Sequence, residues 1–274
     1  MRYGFCLNFA SACSTGVDFG VLERIREAKF DEAELPLSRM VRLSSVELDE
    51  LTHHLRELGL LSSACTNFFP DEIGLYKLEV ENRSFLEDYL SRATDCALRL
   101  GVQKIIFASI PDWQIPPGRT REEGFRRLTH LLSTILVPRF SPLGIQILVE
   151  PLRRSICNLV NTLEDGMELV QRVASPHVQL AADTYHMLCN DEEPRNITRF
   201  ASAIGHVHVV EPGRVLPAEG WSHGLEAILE QIFHLADGAL ELVVSLDRDD
   251  FGSPGELKHF AAHACGPGFC VRTR

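Results

Sequence analysis

Short apolar runs and amphipathic segments alternate along the chain. Eight apolar runs are short enough for buried strands, and they cover residues 3–9, 32–36, 60–68, 104–109, 144–151, 177–183, 205–210 and 240–247. Between them, apolar residues recur at helical spacing. In VELDELTHHLRELGL, for example, Leu48, Leu51, Leu55 and Leu58 share one face. The pattern predicts an eightfold repeat of a strand followed by a helix.

Several predicted helices begin at a residue that can cap them. Ser44 precedes VELDEL, Thr120 and Thr162 each precede acidic residues, and Ser253 with Pro254 precedes the last helical segment. A hydroxyl at the N-cap accepts a hydrogen bond from an N–H of the first helical turn. These residues therefore mark the predicted helix starts.

The alternation of strands and helices predicts a parallel sheet covered by helices. For 274 residues this predicts one α/β domain, residues 1–274, folded as a (β/α)8 TIM barrel. An open doubly wound sheet is the alternative. The segment LNFASACST after the first strand lacks the glycine-rich turn of dinucleotide-binding sheets, so the closed barrel is favoured.

Composition narrows the class of partner. The formal net charge is -11, which disfavours nucleic acid and anionic membranes and favours a small-molecule substrate. The N-terminal MRYGFCLNFASAC is too short and mixed for a signal sequence or membrane span. Eight cysteines without a CxxC pair predict buried thiols and a cytoplasmic location. They are Cys6, Cys13, Cys65, Cys96, Cys157, Cys189, Cys265 and Cys270.

Three consecutive predicted strands end in residues that can bind metals. The fifth ends at Glu150, the sixth at Asp183, and the seventh contains His206 and His208. Ends of neighbouring barrel strands converge on one rim, where active sites of such barrels lie. His208, nearer that rim, is the expected ligand, and His206 is either its partner or a packed core histidine. Two carboxylates and an imidazole suit Mn²⁺, Co²⁺, Mg²⁺ or Zn²⁺.

Each feature alone has a simpler structural explanation. A glutamate ending a strand is often a salt-bridge partner, and DTYH (183–186) is typical of a turn with an N-cap. Acidic and histidine side chains at three successive buried strand ends carry a desolvation cost, however, which a cation would offset. The combination favours a metal site.

Five motifs resemble one protein family. ILVEPLRR…NLVNT, LAADTYHM and IGHVHVVEPGRVLP, with AELPLSRMVRLS and CTNFFPDEIGL, are similar to the xylose isomerase-like TIM barrel superfamily. The resemblance is to its sugar phosphate isomerase/epimerase branch, which contains D-tagatose and D-psicose 3-epimerases and hydroxypyruvate isomerase. It spans most of the chain.

The resemblance implies metal ligands, substrate contacts and a reaction. Glu150, Asp183 and His208 would bind the metal, while His186 and Arg214 would hold substrate oxygens. In the family, carboxylates on opposite faces of a ketose remove and return a proton next to the carbonyl, through an enediolate.

The sequence departs from the family pattern at two positions. Where the family has a glutamate at the end of the last strand, as fourth ligand and second base, this chain has Ser245; Asp247, two residues on, is the candidate substitute and a candidate catalytic residue. Ile156 stands where the epimerases have a glutamate that contacts substrate. The substrate is therefore expected to be smaller, less hydroxylated or differently oriented than a free ketohexose.

Further residues of the predicted rim could contact substrate. Arg153, with Arg214, would favour an anionic group, whereas at least one of the adjacent pair Arg153 and Arg154 is expected to face solvent. Trp113 would stack on a sugar or pack its loop, and Phe69 would form an apolar wall.

The leading hypothesis is a metal-dependent isomerase or epimerase of a small sugar, sugar phosphate or related hydroxycarbonyl compound. A lyase (dehydratase) or hydrolase on the same barrel is the alternative, as is a pseudoenzyme or binding subunit that has lost the fourth ligand. Barrels of this kind often form homodimers, which the sequence leaves open.

Overall fold

A computed structural model describes residues 2–7, 18–70, 73, 83–108, 114–210, 222–236 and 243–248. Its strands are parallel and pair in chain order, and pairing of the first with the last closes the barrel. They are β1 Arg2–Leu7, β2 Glu32–Pro36, β3 Ala64–Thr66, β4 Lys104–Phe107, β5 Gln146–Val149, β6 Val178–Asp183, β7 Ile204–Val209 and β8 Val243–Arg248. The predicted (β/α)8 barrel is confirmed.

Helices follow the strands, as the pattern predicts. They are α1 Phe19–Glu27, α2 Leu37–Met40, α3 Ser45–Leu58, α4 Arg83–Leu100, α5 Arg121–His130, α6 Val137–Phe140, α7 Leu163–Val173, α8 Thr184–Cys189, α9 Asn196–Arg199 and α10 His223–Ala236. Ser44, Thr120 and Thr162 cap α3, α5 and α7, each in a reciprocal capping box. Ser253 lies outside the described residues. No helix in the described ranges combines the length and hydrophobicity needed to span a membrane.

The third strand is shorter than predicted. Only Ala64–Thr66 forms β3, and Leu61 joins the sheet through a single bridge to Glu32. The strand ends because Asn67 takes a φ of 46°, in the left-handed region that interrupts strand pairing. The aromatic residues of the predicted run, Phe68 and Phe69, therefore follow the strand and pack against α4 and β4 through Tyr89 and Phe107.

Strand β7 contains a bulge at Gly205. Leu180 of β6 pairs with Ile204 and Ala181 pairs with His206, so β7 has one extra residue. A Cβ at position 205 would lie 2.5 Å from Oε1 of Gln179, a clash that glycine avoids. Beyond the bulge, Asp183 pairs with His208. Paired residues of parallel strands face the same side of a sheet, so the bulge brings Asp183 and His208 to the same side.

Candidate functional site

Glu150, Asp183 and His208 lie together at the carboxyl-terminal end of the barrel. Their exposed fractions are 5 %, 2 % and 2 %. Nδ1 of His208 lies 2.6 Å from Oε1 of Glu150 and 3.8 Å from Oδ2 of Asp183. One ligand atom from each of the three residues falls within 4.8 Å of the others. Two carboxylate oxygens and an imidazole nitrogen at this spacing suit a divalent cation.

Glu34 of β2 belongs to the same cluster, although the sequence pattern did not single it out. Its side chain is fully buried. Oε2 lies 3.0 Å from Nε2 of His208, and Oε1 lies 2.5 Å from Nε2 of His206. His206 is therefore a buried partner of the cluster. One sequence signal could have found Glu34, because it alternates with Glu32 in a strand whose five residues are all buried, and buried carboxylates need partners.

The two ring nitrogens of His208 face different carboxylates. Nδ1 faces Glu150 and Asp183, whereas Nε2 faces Glu34. If a cation binds Nδ1, the ring hydrogen stays on Nε2 and is donated to Glu34. Carboxylates that accept a hydrogen bond from a metal-bound histidine fix its tautomer and its ring orientation. The donor set and its support thus fit a metal at Nδ1 of His208.

The protonation of the cluster follows from these contacts. Burial opposes protonation of His208, but the charges of Glu150 and Glu34 outweigh it and raise the pKa of His208 well above its usual value. Burial also opposes ionisation of Glu34, yet His206 and His208 hold its pKa well below the usual range. In the metal-free cluster these charges favour the form of His208 that carries a proton on both ring nitrogens. A cation at Nδ1 would take the place of the proton on that nitrogen.

Asp183 uses its two carboxylate oxygens differently. Oδ1 accepts the backbone N–H of His186 at 3.0 Å and caps α8, while Oδ2 faces His208. Helix α8 thereby places His186 at the site, with Nε2 4.0 Å from Oδ2 of Asp183. Nδ1 of His186 accepts the backbone N–H of Arg153 at 3.2 Å, so the proton of the neutral ring lies on Nε2. His186 can therefore donate a hydrogen bond towards a substrate oxygen.

In the loop after β5, the adjacent residues Arg153 and Arg154 contact different partners. The backbone N–H of Arg154 donates to Oδ1 of Asn190, and its guanidinium donates to the Asn190 carbonyl. Asn190 and Asn161 both donate to the carbonyl of Leu152. Arg154 therefore holds the loop against the end of α8. The guanidinium of Arg153 instead donates to the hydroxyl of Tyr185.

The remaining predicted site residues have different outcomes. Phe69 is buried in the aromatic cluster with Phe68, Tyr89 and Phe107, so its contact with substrate stays a prediction. Trp113 and Arg214 lie outside the described residues. The backbone of β8 is described: Ser245 pairs with His208, and Asp247 pairs with Cys6 of β1. Cys6 pairs in turn with Glu34, which places Asp247 level with a residue of the cluster.

Comparison with known proteins gives one family match and several relatives. Residues 22–256 match the family model described as xylose isomerase-like TIM barrel. D-psicose 3-epimerase of Agrobacterium fabrum is 32% identical over 73% of this chain and 69% of its own length. The 3-dehydro-D-guloside 4-epimerase of Escherichia coli is 23% identical over 76% of this chain and 79% of its own length.

Solved structures share the fold at low sequence identity. D-psicose 3-epimerase from Clostridium cellulolyticum H10, solved with D-tagatose, has a TM-score of 0.76 at 20% identity, over 96% of both chains. The IOLI protein, solved with a bound zinc atom, has a TM-score of 0.71 at 18% identity and covers 96% of both chains. At these identities the likeness concerns the barrel alone.

Proposed function

The chain belongs to the xylose isomerase-like TIM barrel family, and from that premise we propose a divalent-metal-dependent isomerase or epimerase of a sugar, sugar phosphate or related hydroxycarbonyl compound. The observation that carries the proposal is the cluster of Glu150, Asp183 and His208, whose ligand atoms fall within 4.8 Å. The relatives named above are sugar epimerases, which supports the same reaction type. The family match over residues 22–256 supports a single domain.

Glu150, Asp183 and His208 are the proposed metal ligands, with Asp247 as the fourth. Asp247 is proposed because it carries the carboxylate that Ser245 lacks. In the register its backbone is level with Cys6 and Glu34, two residues beyond Ser245, which is level with His208. Carboxylate and imidazole donors accept Mn²⁺, Co²⁺, Mg²⁺ or Zn²⁺. We favour Mn²⁺, since carboxylate oxygens outnumber nitrogens in this donor set.

A bound divalent ion would polarise the substrate carbonyl and stabilise the negative charge that develops as the neighbouring carbon loses its proton. The chain's own residues then divide the remaining work. Glu150 takes the proton from one face to give an enediolate, and Asp247, in its protonated form, delivers its own proton to the opposite face. His186 donates from Nε2 to a substrate oxygen, and Arg214 holds another. Trp113 and Phe69 are proposed to form the apolar side of the sugar pocket.

Glu34 has a supporting role in this proposal, and its replacement by glutamine is a direct test. We expect Glu34→Gln to weaken metal binding by about 10- to 100-fold, the range seen when a carboxylate behind a metal-bound histidine is lost. Competition with a chromogenic chelator measures the affinity. Glu32→Gln is the matched control, because Glu32 is equally buried on the same strand but pairs with Arg2 and Ser63. An equal loss in both variants would refute the role of Glu34.

The proposed function predicts metal-dependent exchange of a substrate hydrogen with solvent. Protein purified without chelator is expected to contain about one divalent ion per chain by elemental mass spectrometry. Incubated in D2O with D-fructose, D-psicose, D-tagatose and their phosphates, it should introduce deuterium next to the carbonyl of one of them, as seen by NMR. The proposal is contradicted if the protein binds no metal after Mn²⁺ and Co²⁺ are supplied, or if none of the compounds exchanges a hydrogen for deuterium.

We also propose a cytoplasmic location. Cys6, Cys65, Cys96 and Cys157 are buried free thiols and Cys189 is an exposed one, a pattern that suits a reducing compartment. A homodimer is proposed only by analogy with barrels of this kind.

A further inference from the structure

The guanidinium of Arg153 contacts Tyr185 of α8, the helix that also carries His186. Its Nη1 donates to the hydroxyl of Tyr185, and its Cζ lies 5.2 Å from the centroid of that ring. Its Nε is buried and has no hydrogen-bond partner among the described residues. Within the described ranges, no carboxylate forms an ion pair with Arg153. A buried donor on a charged group costs free energy unless a partner completes it.

A residue of the candidate site, His186, holds the backbone of Arg153. Its backbone N–H donates to Nδ1 of His186, and Arg153 follows Glu150 by three residues. Tyr185 and His186 are neighbours in α8, with ring centroids 5.5 Å apart. The guanidinium is therefore tied to the same short helix that Asp183 caps. A group bound by Arg153 would lie at the rim of the cluster.

The surrounding loop supplies no negative charge. Residues 151–162 contain two arginines and no aspartate or glutamate. Arg154 is used to hold the loop on Asn190. Ile156, whose N–H donates to the carbonyl of Arg153, presents an apolar side chain that is 41% exposed. The positive charge of Arg153 is thus left for a partner from outside the loop.

We propose that Arg153 binds an anionic group of the substrate, a carboxylate or a phosphate, while the hydroxycarbonyl end lies at Glu150, Asp183 and His208. Guanidinium forks match the geometry of both anions. Tyr185 accepts a hydrogen bond from the guanidinium and is the positioning residue of this proposal. The inference rests on the proposed function and narrows its substrate to an acidic or phosphorylated hydroxycarbonyl compound.

Three compounds with one carbon skeleton test the proposal: D-fructose, D-fructuronate and D-fructose 6-phosphate, which differ at C6. Binding to the Mn²⁺-loaded protein is measured by calorimetry, and solvent exchange by NMR. We expect an anionic compound to bind at least about 10-fold more tightly than D-fructose, as for a charged hydrogen bond. The preferred anion distinguishes carboxylate from phosphate.

Variants of the two adjacent arginines separate charge recognition from loop structure. Arg153→Met is expected to reduce the preference for the anionic compound by about 10- to 100-fold, and Arg153→Lys to restore part of it. Arg154→Met should weaken all three compounds alike, because it disturbs the loop. An anion preference that survives Arg153→Met, equal binding of all three compounds or no binding of any overturns the inference. Anion-selective binding without solvent exchange supports the inference while contradicting the proposed function.

Discussion

Replacing Asp183 with asparagine is expected to remove the bound metal and to lower turnover by about 10³-fold or more. The carboxylate loses the negative charge that faces Nδ1 of His208 at 3.8 Å. The amide keeps an oxygen that can accept the N–H of His186, so α8 stays capped. Elemental mass spectrometry and the deuterium exchange assay measure the two effects.

Asp183→Ala is the matched control for the capping role. It removes both oxygens, so we expect the same metal loss together with a decrease of about 1 kcal/mol in the free energy of unfolding. When all proteins are measured free of metal, Asp183→Asn should keep the native free energy of unfolding, because its N-cap is intact. If Asp183→Asn retains its metal and its turnover, Asp183 is an N-cap only and the metal site is elsewhere.

With Mn²⁺ supplied in excess, because Asp247 is also the proposed fourth ligand, Asp247→Asn is expected to lower epimerisation by about 10³-fold while the starting epimer still incorporates deuterium. If Glu150 and Asp247 act on opposite faces, loss of Asp247 leaves Glu150 to remove and return the proton on one face. The carbon then exchanges its hydrogen without inverting. NMR in D2O measures exchange and inversion in one sample.

Two further variants show which residue of β8 has this role. Asp247→Glu adds a methylene and keeps the charge, so partial epimerisation should remain. Ser245→Ala should change the rate of epimerisation by less than about threefold, because Ser245 carries no charge and cannot act as a base. Asp247→Asn that still inverts its substrate at the native rate would exclude Asp247 as second base.

Most of the fold was predictable because the sequence patterns that specify each strand and helix lie in or next to that element. Apolar runs, helical spacing and capping hydroxyls lie within a few residues of the elements they specify, as Ser44, Thr120 and Thr162 do. The end of β3 was not predictable, because the left-handed backbone of Asn67 interrupts a largely apolar run that continues into Phe68 and Phe69.

The candidate site was predictable only where strand ends reveal it. Glu150, Asp183 and His208 follow from the rule that barrel active sites lie at the ends of strands. Glu34 was missed, because its histidine partners are more than 170 residues away and meet it across the barrel interior. The different uses of Arg153 and Arg154 depend on Tyr185 and Asn190, contacts that no local pattern contains.

The bulge at Gly205 makes the start of β7 intolerant of insertions and deletions. Strict alternation along IGHVHV would put Ile204 on the same face as His206 and His208. Ile204 instead pairs with Leu180, which packs against Gly166 of α7 in the outer layer, and the histidines turn inward only after the extra residue. Inserting or deleting one residue before His206 would therefore move the side chain of His208 from the barrel interior to the side that faces the helices. The start of β7 is therefore as sensitive to a change of chain length as the proposed metal ligands are to substitution.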